Sequence, residues 1–170
     1  LMLRFYSTQI SDTQIVLDEN DSRHAIKALR LTQGSPLEIV DGFGTIFSAE
    51  IDSPSHKKCV CKIVDSHKEK PLPYSLHMAV APTKNIDRFE YFLEKATELG
   101  VAEITPLLCS NSERKTIKVD RLERILVSAM KQSLKATKPI LNPLTPLKDF
   151  LAQSKDGVKV MAHCEEGKKI

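Results

Sequence analysis

The sequence of 170 residues contains no apolar run close to the roughly 18–20 residues that a helix needs to cross a bilayer. This absence argues against an integral membrane protein. The first six residues contain no apolar segment of the kind that signal peptides carry, so we expect a cytoplasmic protein. Four cysteines are too few to form a disulfide scaffold.

Several motifs that carry chemistry are also missing. The sequence has no nucleophile elbow, no His-Glu-x-x-His motif and no glycine-rich loop that opens a helix. Cys59 and Cys61 share one face of a predicted strand, but no second pair of ligands stands at zinc-binding spacing. We therefore predict buried thiols and no metal site.

The positive charge of the chain is concentrated in one segment. The chain as a whole carries a net charge of only +3. Residues 1–70 contain 9 basic and 10 acidic residues, whereas residues 111–138 contain 8 basic and 3 acidic residues. Such a local excess is typical of a footprint for a polyanion rather than of a uniformly basic surface.

The chain divides near residue 70, where charged residues are followed by Pro71 and Pro73. Before this linker the pattern is mostly that of strands, predicted at 37–40, 45–51 and 59–64, with a Gly-x-Gly turn at 42–44. One helix is predicted at 21–30, with Ser22 as its cap. Residues 1–70 are thus predicted to form a small β-barrel with one helix.

After the linker, strands and helices alternate, which predicts an α/β domain with a parallel sheet over 74–170. The predicted strands lie at 76–81, 101–108 and 158–163. The predicted helices are one at 86–99 capped by Asn85, one from Asp120 to Pro139 with a capping box completed by Glu123, and a short one at 146–153. These units leave much of a parallel sheet uncovered, so we expect a further C-terminal part.

Two predicted helices carry basic residues on one side. In the helix that begins at Asp120, the spacing places four cations within about 60° of one another: Arg124, Lys131, Lys135 and Lys138. The helix at 21–30 carries Arg23, Lys27 and Arg30 at offsets of 0, 4 and 7. Rows of this kind fit a phosphate backbone. The alternative is that each row is an ordinary solvated helix face.

Two further positions lie where parallel sheets place their ligands, at the carboxyl ends of strands. The loop at 109–115 follows the second predicted strand and combines hydroxyls, an amide and the guanidinium of Arg114. His163 ends the third predicted strand. The loop could equally be an ordinary polar connection, and His163 could be a structural residue.

The ordered set of short motifs resembles the ribosomal RNA small subunit methyltransferase E family. In the second half of the chain the matching segments are Ala81–Arg88, Lys95–Val101, Ile104–Pro106, Ser112–Lys115 and Lys131–Ser133. In the first half they are His24, Ala28–Arg30 and the Asp41-Gly42-x-Gly44 turn. Essentially the whole chain is covered, in the order of the family.

This resemblance implies a PUA-like barrel followed by the first part of a SPOUT-type methyltransferase domain. It implies methylation of N3 of a uridine in 16S ribosomal RNA, with S-adenosylmethionine as the methyl donor. Arg114 would then stabilise charge on the base, and His163 would lie at the cofactor. The remaining RNA-binding candidates are cations of both halves, namely Arg23, Arg30, Lys84, Arg88, Arg124, Lys131, Lys135 and Lys138.

The resemblance also implies a homodimer, formed through the knotted region of the methyltransferase domain. Family members continue with a Gly-Pro-Glu-Gly loop and a Leu-Arg-x-Glu-Thr segment that build the trefoil knot and most of the cofactor pocket. Neither motif occurs in these 170 residues. From the sequence we therefore expect little activity from this stretch alone, and a non-catalytic RNA-binding module is the alternative function.

Overall fold

The computed structural model describes residues 4–153 and 156–162 and contains two separate β-sheets. A six-stranded curled sheet comes first in the chain, and a parallel sheet flanked by helices follows. We refer to them as the barrel and the α/β unit. No helix among the described residues is long and apolar enough to cross a membrane.

The barrel is built from six strands: β1 Arg4–Tyr6, β2 Gln9–Ile10, β3 Gln14–Val16, β4 Pro36–Val40, β5 Thr45–Ser53 and β6 Val60–Lys68. Their order in the sheet is β1-β4-β5-β6-β3-β2, and only the β1–β4 pair is parallel. Ser7 joins the two ends of this sheet. Its N–H donates to the Val40 carbonyl at 3.1 Å, and its hydroxyl donates to the Val16 carbonyl at 2.6 Å.

The helix of the barrel differs from the prediction in its start and in its form. α1 spans Glu19–Arg23 and continues as a π-helical turn, His24–Ala28. Its cap is Asp18, whose carboxylate accepts from the Asp21 N–H, and not Ser22. Ser22 is fully buried, donates to the Leu17 carbonyl and accepts from the Cys59 N–H, so it ties α1 to the strands.

The α/β unit contains four short or medium strands and three helices. They are β7 His77–Val80, α2 Ile86–Leu99, β8 Glu103–Leu108, α3 Val119–Gln132, β9 Ile140–Leu141, β10 Thr145–Pro146 and α4 Leu147–Ala152. β8 is central, with β7 on one side and both β9 and β10 on the other, all parallel. α2 and α3 pack side by side over one core, whose buried residues include Phe89, Leu93, Ile104, Leu122 and Leu126.

The start and end signals of α2 act as predicted. Asn85 accepts from the Asp87 N–H at 3.0 Å, and Gly100 ends the helix with a φ of 85°. In α3 the prediction was wrong at both ends. The helix begins after Lys118 without a side-chain cap, and it ends at Gln132, seven residues before Pro139, with Ser133 as its C-cap. The predicted capping box does not form, because Lys118 is the cap position and Asp120 already lies inside the helix, while Glu123 pairs with Lys138.

The third strand was also predicted in the wrong place. Residues 158–162 form no strand and are exposed, and His163 lies outside the described residues. The third strand position beside β8 is taken by β9 and β10, which together make an interrupted strand just after Pro139. No strand was predicted from 139 to 146 because this segment is rich in proline, which lacks the N–H that a strand donates to its neighbour.

The barrel and the α/β unit meet at a region that we call the junction. Its apolar centre contains Tyr6, Val40, Ile46, Met130 and Ala136. The chain after α3 also pairs with the β4–β5 turn, since the Gly44 N–H donates to the Ala136 carbonyl and the Lys138 N–H donates to the Gly42 carbonyl. The last turn of α3 and the segment after it are therefore part of the contact between the two sheets.

Candidate functional site

The carboxyl ends of β7 and β8 lie side by side because the two strands are parallel and in register. The loops that follow them, residues 81–85 and 109–116, form what we call the carboxyl edge. Arg114 joins these loops, as Nη2 donates to the Lys84 carbonyl at 2.6 Å and Nε donates to the Thr83 carbonyl at 3.2 Å. The position predicted for Arg114 is thus correct in space, at the end of a parallel strand.

A shallow cavity of about 300 Å³ opens at this edge. It is lined by Lys84, Glu113, Arg114, Lys115 and Thr116. Lys84 and Glu113 form an exposed ion pair with an Nζ–Oε2 distance of 2.9 Å. With three cations and one carboxylate, the lining has a net charge of +2, which suits an anionic or electron-rich ligand.

The start of α2 borders the same edge. The Thr83 hydroxyl donates to the Asn85 carbonyl at 2.6 Å, and Asn85 caps the helix. Arg88 lies in the first turn of α2 and is exposed. The positive end of the helix dipole and Arg88 therefore add to the positive potential beside the cavity.

The predicted row of four cations on α3 is divided by the structure. Arg124 is exposed, whereas the Lys131 side chain is only 26% exposed and forms a 2.8 Å ion pair with Asp21 of the barrel. Lys138 is 18% exposed and is bound to Glu123 at 2.5 Å. Lys131 and Lys138 therefore do not form a solvated row with Arg124.

Lys135 and Lys138 do not lie on the helix at all. α3 ends at Gln132, and Leu134 adopts a left-handed conformation with a φ of 54°. Both lysines would align with Arg124 only if the helix continued unbroken to Pro139. The helix stops at Gln132, so they do not share its face. Lys135 is partly exposed, with its ammonium near Gly100 at the end of α2.

In the barrel, the cations Arg23, Lys27 and Arg30 are all exposed. Arg23 forms an exposed ion pair with Glu19 at 2.7 Å. Arg30 lies past the end of the π-helical turn with a φ of 55°, so it does not share a helix face with the other two. The predicted row is therefore a cluster of solvated side chains whose alignment is interrupted by the left-handed residue.

A polar cluster that we did not predict lies on the face of the parallel sheet opposite α2 and α3. His77 Nε2 is 2.7 Å from the Thr105 hydroxyl, and Asn142 donates to Glu103 at 2.6 Å and to Thr105 at 2.7 Å. The His77 ring meets Phe150 of α4 edge-on. Alternate residues of a strand share a face, so the sequence could have placed Glu103 and Thr105 on one face of β8. Asn142 directly follows β9, a strand that was not predicted.

The cysteines of the barrel are buried, as predicted. Cys59 and Cys61 are both fully inaccessible to solvent. A hydrogen bond from the Cys61 thiol lowers the pKa of Cys59 to about 7, and the same bond raises the pKa of Cys61. Among the residues that the structure describes, no group of three or more potential ligands could hold a metal ion.

Comparison with known families matches both parts of the chain. A family model described as an RNA methyltransferase domain matches residues 69–170, and a model described as an RNA methyltransferase PUA domain matches residues 17–64. The first match alone covers more than half of the chain.

Three relatives illustrate the likeness. The ribosomal RNA small subunit methyltransferase E of Rickettsia conorii is 24% identical over 159 residues, which is 93% of this chain and 64% of that protein. The structure of a probable rRNA-methyltransferase from Porphyromonas gingivalis is 35% identical, with a TM-score of 0.84, and the match covers 91% of this chain and 65% of that one. A methyltransferase of Legionella pneumophila, solved with bound cofactor SAM, is 25% identical, with a TM-score of 0.82 and coverage of 94% and 69%. The chain thus spans about two thirds of the length of these proteins.

Proposed function

Since the chain belongs to the RNA methyltransferase family, and the curated relatives that it matches are ribosomal RNA small subunit methyltransferases E, we propose that it methylates N3 of a uridine in 16S ribosomal RNA. The methyl donor in this proposal is S-adenosylmethionine, which the Legionella relative binds. The observation that carries the proposal is the position of Arg114, a cation fixed at the carboxyl edge of the parallel sheet.

Arg114 suits the chemistry of uridine N3. This nitrogen carries a weakly acidic proton, and negative charge builds on O2 and O4 of the base as the proton leaves. Two of the five N–H donors of Arg114 are used by backbone carbonyls, which leaves three for the base. Because the guanidinium is held before the reaction, it would stabilise this charge by roughly 3–4 kcal/mol.

The described part of the carboxyl edge does not form a pocket for the adenine of S-adenosylmethionine. Its cavity is shallow, and every residue that lines it is polar or charged. The lining fits a base carbonyl or a phosphate better, so we assign it to the nucleotide and derive no step through the cofactor. His163 remains our proposed cofactor contact.

We propose that the exposed and partly exposed cations near the two sheets bind the RNA backbone. The set comprises Arg23, Arg30, Lys84, Arg88, Arg124 and Lys135. Each contact with a phosphate releases condensed counterions and so strengthens binding at low salt. Lys131 and Lys138 are reassigned to the junction, because their ammonium groups are paired with Asp21 and Glu123.

Methyl transfer can be measured in a chimera in which residues 1–162 continue into the remaining C-terminal third of the Porphyromonas gingivalis relative. With small ribosomal subunits as substrate, N3 methylation adds one methyl mass and blocks base pairing at a single nucleotide in primer extension. If the chimera and the 170-residue chain bind RNA but the chimera methylates nothing, the chain is a non-catalytic RNA-binding module.

The role of Arg114 is tested in the same chimera. Arg114→Ala should lower kcat by about 100-fold or more and leave KM for the subunit nearly unchanged, since the proposed interaction strengthens only in the transition state. Arg121→Ala is the matched control, as Arg121 is 58% exposed and pairs with Glu90 on α2. A wild-type single-turnover rate for Arg114→Ala would remove Arg114 from the active site.

Cofactor affinity tests whether S-adenosylmethionine binds to the 170 residues or needs the C-terminal third that the chimera adds. We expect calorimetry to show no micromolar binding of S-adenosylmethionine to residues 1–170 and clear binding to the chimera, because the described edge has no adenine pocket. Tight binding by the 170 residues would mean that the pocket lies within them.

We further propose a division into a PUA-like domain over 1–70 and a SPOUT-type domain, knotted in the whole protein, from 74 onward. Residues 71–76 between β6 and β7 are exposed, so limited proteolysis should cut there first. First cleavage within either sheet would contradict this division.

We also propose that the whole protein is a homodimer, and sedimentation of the chimera should then give twice the chain mass. We further propose that it is located in the cytoplasm with ribosomal particles, which cell fractionation checks.

A further inference from the structure

The turn between β4 and β5 presents an aromatic ring to solvent. Phe43 lies at the tip, between Gly42 and Gly44, and is 80% exposed. Both glycines have left-handed φ values, 81° and 88°, which L side chains rarely adopt. The backbone of this turn is therefore specified by its sequence, whereas the phenylalanine at its centre adds nothing to the buried cores.

The tip is rigid because three groups hold it. One carboxylate oxygen of Asp41 accepts from the Phe43 N–H at 2.7 Å and from the Thr45 N–H at 2.9 Å. The segment after α3 pairs with both glycines, at 2.9 Å for the Gly42 carbonyl and 3.0 Å for the Gly44 N–H. Glu69 adds a bond from its N–H to the Gly44 carbonyl at 2.8 Å.

The surroundings of Phe43 are polar. Thr137 lies against the turn and is exposed, and the Lys68 ammonium is 2.5 Å from the hydroxyl of Thr45, the first residue of β5. A stable protein interface buries about 1,000 Å² or more around an apolar centre, which one ring among polar groups does not offer. A single exposed aromatic face matches the size and chemistry of one planar base.

We propose that Phe43 is a stacking platform for one unpaired base of the bound RNA. This inference rests on the proposed RNA-binding function and adds a specific contact at the junction of the two sheets. Because hydrogen bonds already hold the backbone of the turn, only the ring has to be ordered on binding, which keeps the entropic cost small. Because the contact uses the face of the base, it favours single-stranded RNA and loops over a duplex, in which both faces are covered.

The chain contains no tryptophan, so Phe43→Trp places a unique fluorophore at the tip. The experiment titrates the 170-residue variant with a 12-nucleotide single-stranded RNA of mixed sequence and with the duplex of the same sequence. The expected result is quenching of the tryptophan emission by the single strand and little change with the duplex. The matched control is Tyr91→Trp, since Tyr91 on α2 is also an exposed aromatic, at 63%.

Affinity gives a second, independent readout. Phe43→Ala and Phe43→Leu should each weaken single-strand binding by about 5- to 100-fold, with an unchanged salt dependence because no phosphate contact is lost. Phe43→Trp should retain the wild-type affinity, and Tyr91→Ala should have no effect. The melting temperature should stay constant because the ring is exposed.

The outcomes separate this inference from the proposed function. If the unmodified chain binds neither RNA, both fail. If it binds but Phe43→Ala or Phe43→Leu binds equally well, the stacking role alone is overturned. A change in sedimentation on Phe43→Ala would assign the ring to a contact between copies of the chain and would likewise overturn it.

Discussion

The junction and the carboxyl edge both contain lysines, but the two regions put them to opposite uses. At the junction, the side chains of Lys131 and Lys138 are 26% and 18% exposed, and each ammonium is paired with a carboxylate. At the carboxyl edge, Lys84 is 82% exposed, and its carboxylate partner Glu113 is 61% exposed. A partly buried pair is costly to break, whereas an exposed pair contributes little to stability and can exchange its partner for a phosphate. The same residue type therefore takes part in the packing of the junction in one region and is exposed to solvent in the other.

The largest effect on stability is expected from the apolar centre of the junction. Met130 is fully buried against Val40, Ile46 and Ala136. Met130→Ala should lower the free energy of unfolding by about 3 kcal/mol, measured by urea denaturation, because the cavity lies between two sheets that cannot easily close it. The control Leu99→Ala removes an apolar side chain that is 75% exposed and should cost less than about 0.5 kcal/mol. Equal costs would show that the junction does not hold the two sheets together.

The next largest effect on stability is expected from Lys131 at the junction, and Lys84 at the carboxyl edge serves as the comparison. Lys131→Ala should cost about 2 kcal/mol of unfolding free energy, since it removes the cation from the carboxylate of Asp21, which is 12% exposed and would keep its bond from the Tyr6 N–H. Lys84→Ala should cost less than about 0.5 kcal/mol. A double-mutant cycle with Asp21→Ala measures the coupling across the junction. A coupling near zero would contradict the assignment of Lys131 to that contact.

In RNA binding, the variant with the larger effect should be Lys84→Ala and not Lys131→Ala. For Lys84→Ala, the slope of log K against log salt concentration should flatten by about one unit, as expected for the loss of one phosphate contact. Lys131→Ala should leave the slope unchanged, provided that the measurement is made where the variant is folded. A flattened slope for Lys131→Ala would show that RNA displaces Asp21 and would reinstate the original prediction for this residue.

The smallest expected effect concerns Tyr6, whose hydroxyl lies beside the junction. Burial, and then the negative charges of Glu123 and Asp41, raise the pKa of Tyr6 above its usual value of 10. The neutral form is thus favoured by folding, so this contribution is complete below about pH 10 and is lost as the pH rises through the higher folded value. Thermal melts between pH 8 and 11 should show a slightly steeper alkaline loss for wild type than for Tyr6→Phe. Parallel profiles would show that ionisation of Tyr6 is not linked to folding.

Much of the fold and part of the site could be predicted from residue patterns, with characteristic exceptions. Asn85 and Gly100 bound α2 as predicted because capping is local and involves groups only a few residues apart. The capping box at Asp120 did not form because α3 starts one residue earlier, after Lys118, and Glu123 is bound by Lys138, 15 residues away in the chain. Arg114 was placed correctly because the carboxyl ends of parallel strands share one edge, but its hydrogen bonds to residues 83 and 84 required the fold to be known.

The sequence by itself determined the switch from a barrel to alternating strands and helices near residue 70, the Gly-x-Gly turn and the local excess of cations, since periodicity, φ preferences and charge are properties of the chain. Only the tertiary structure decided which of those cations remain exposed to solvent. Lys131 and Lys138 carry the same charge as Lys84, yet the docking of α3 on the barrel brings Asp21 within 2.8 Å of Lys131, and the chain reversal at Leu134 returns Lys138 to Glu123. The physical reason is that an ion pair depends on distances between atoms far apart in the chain, and only packing sets those distances.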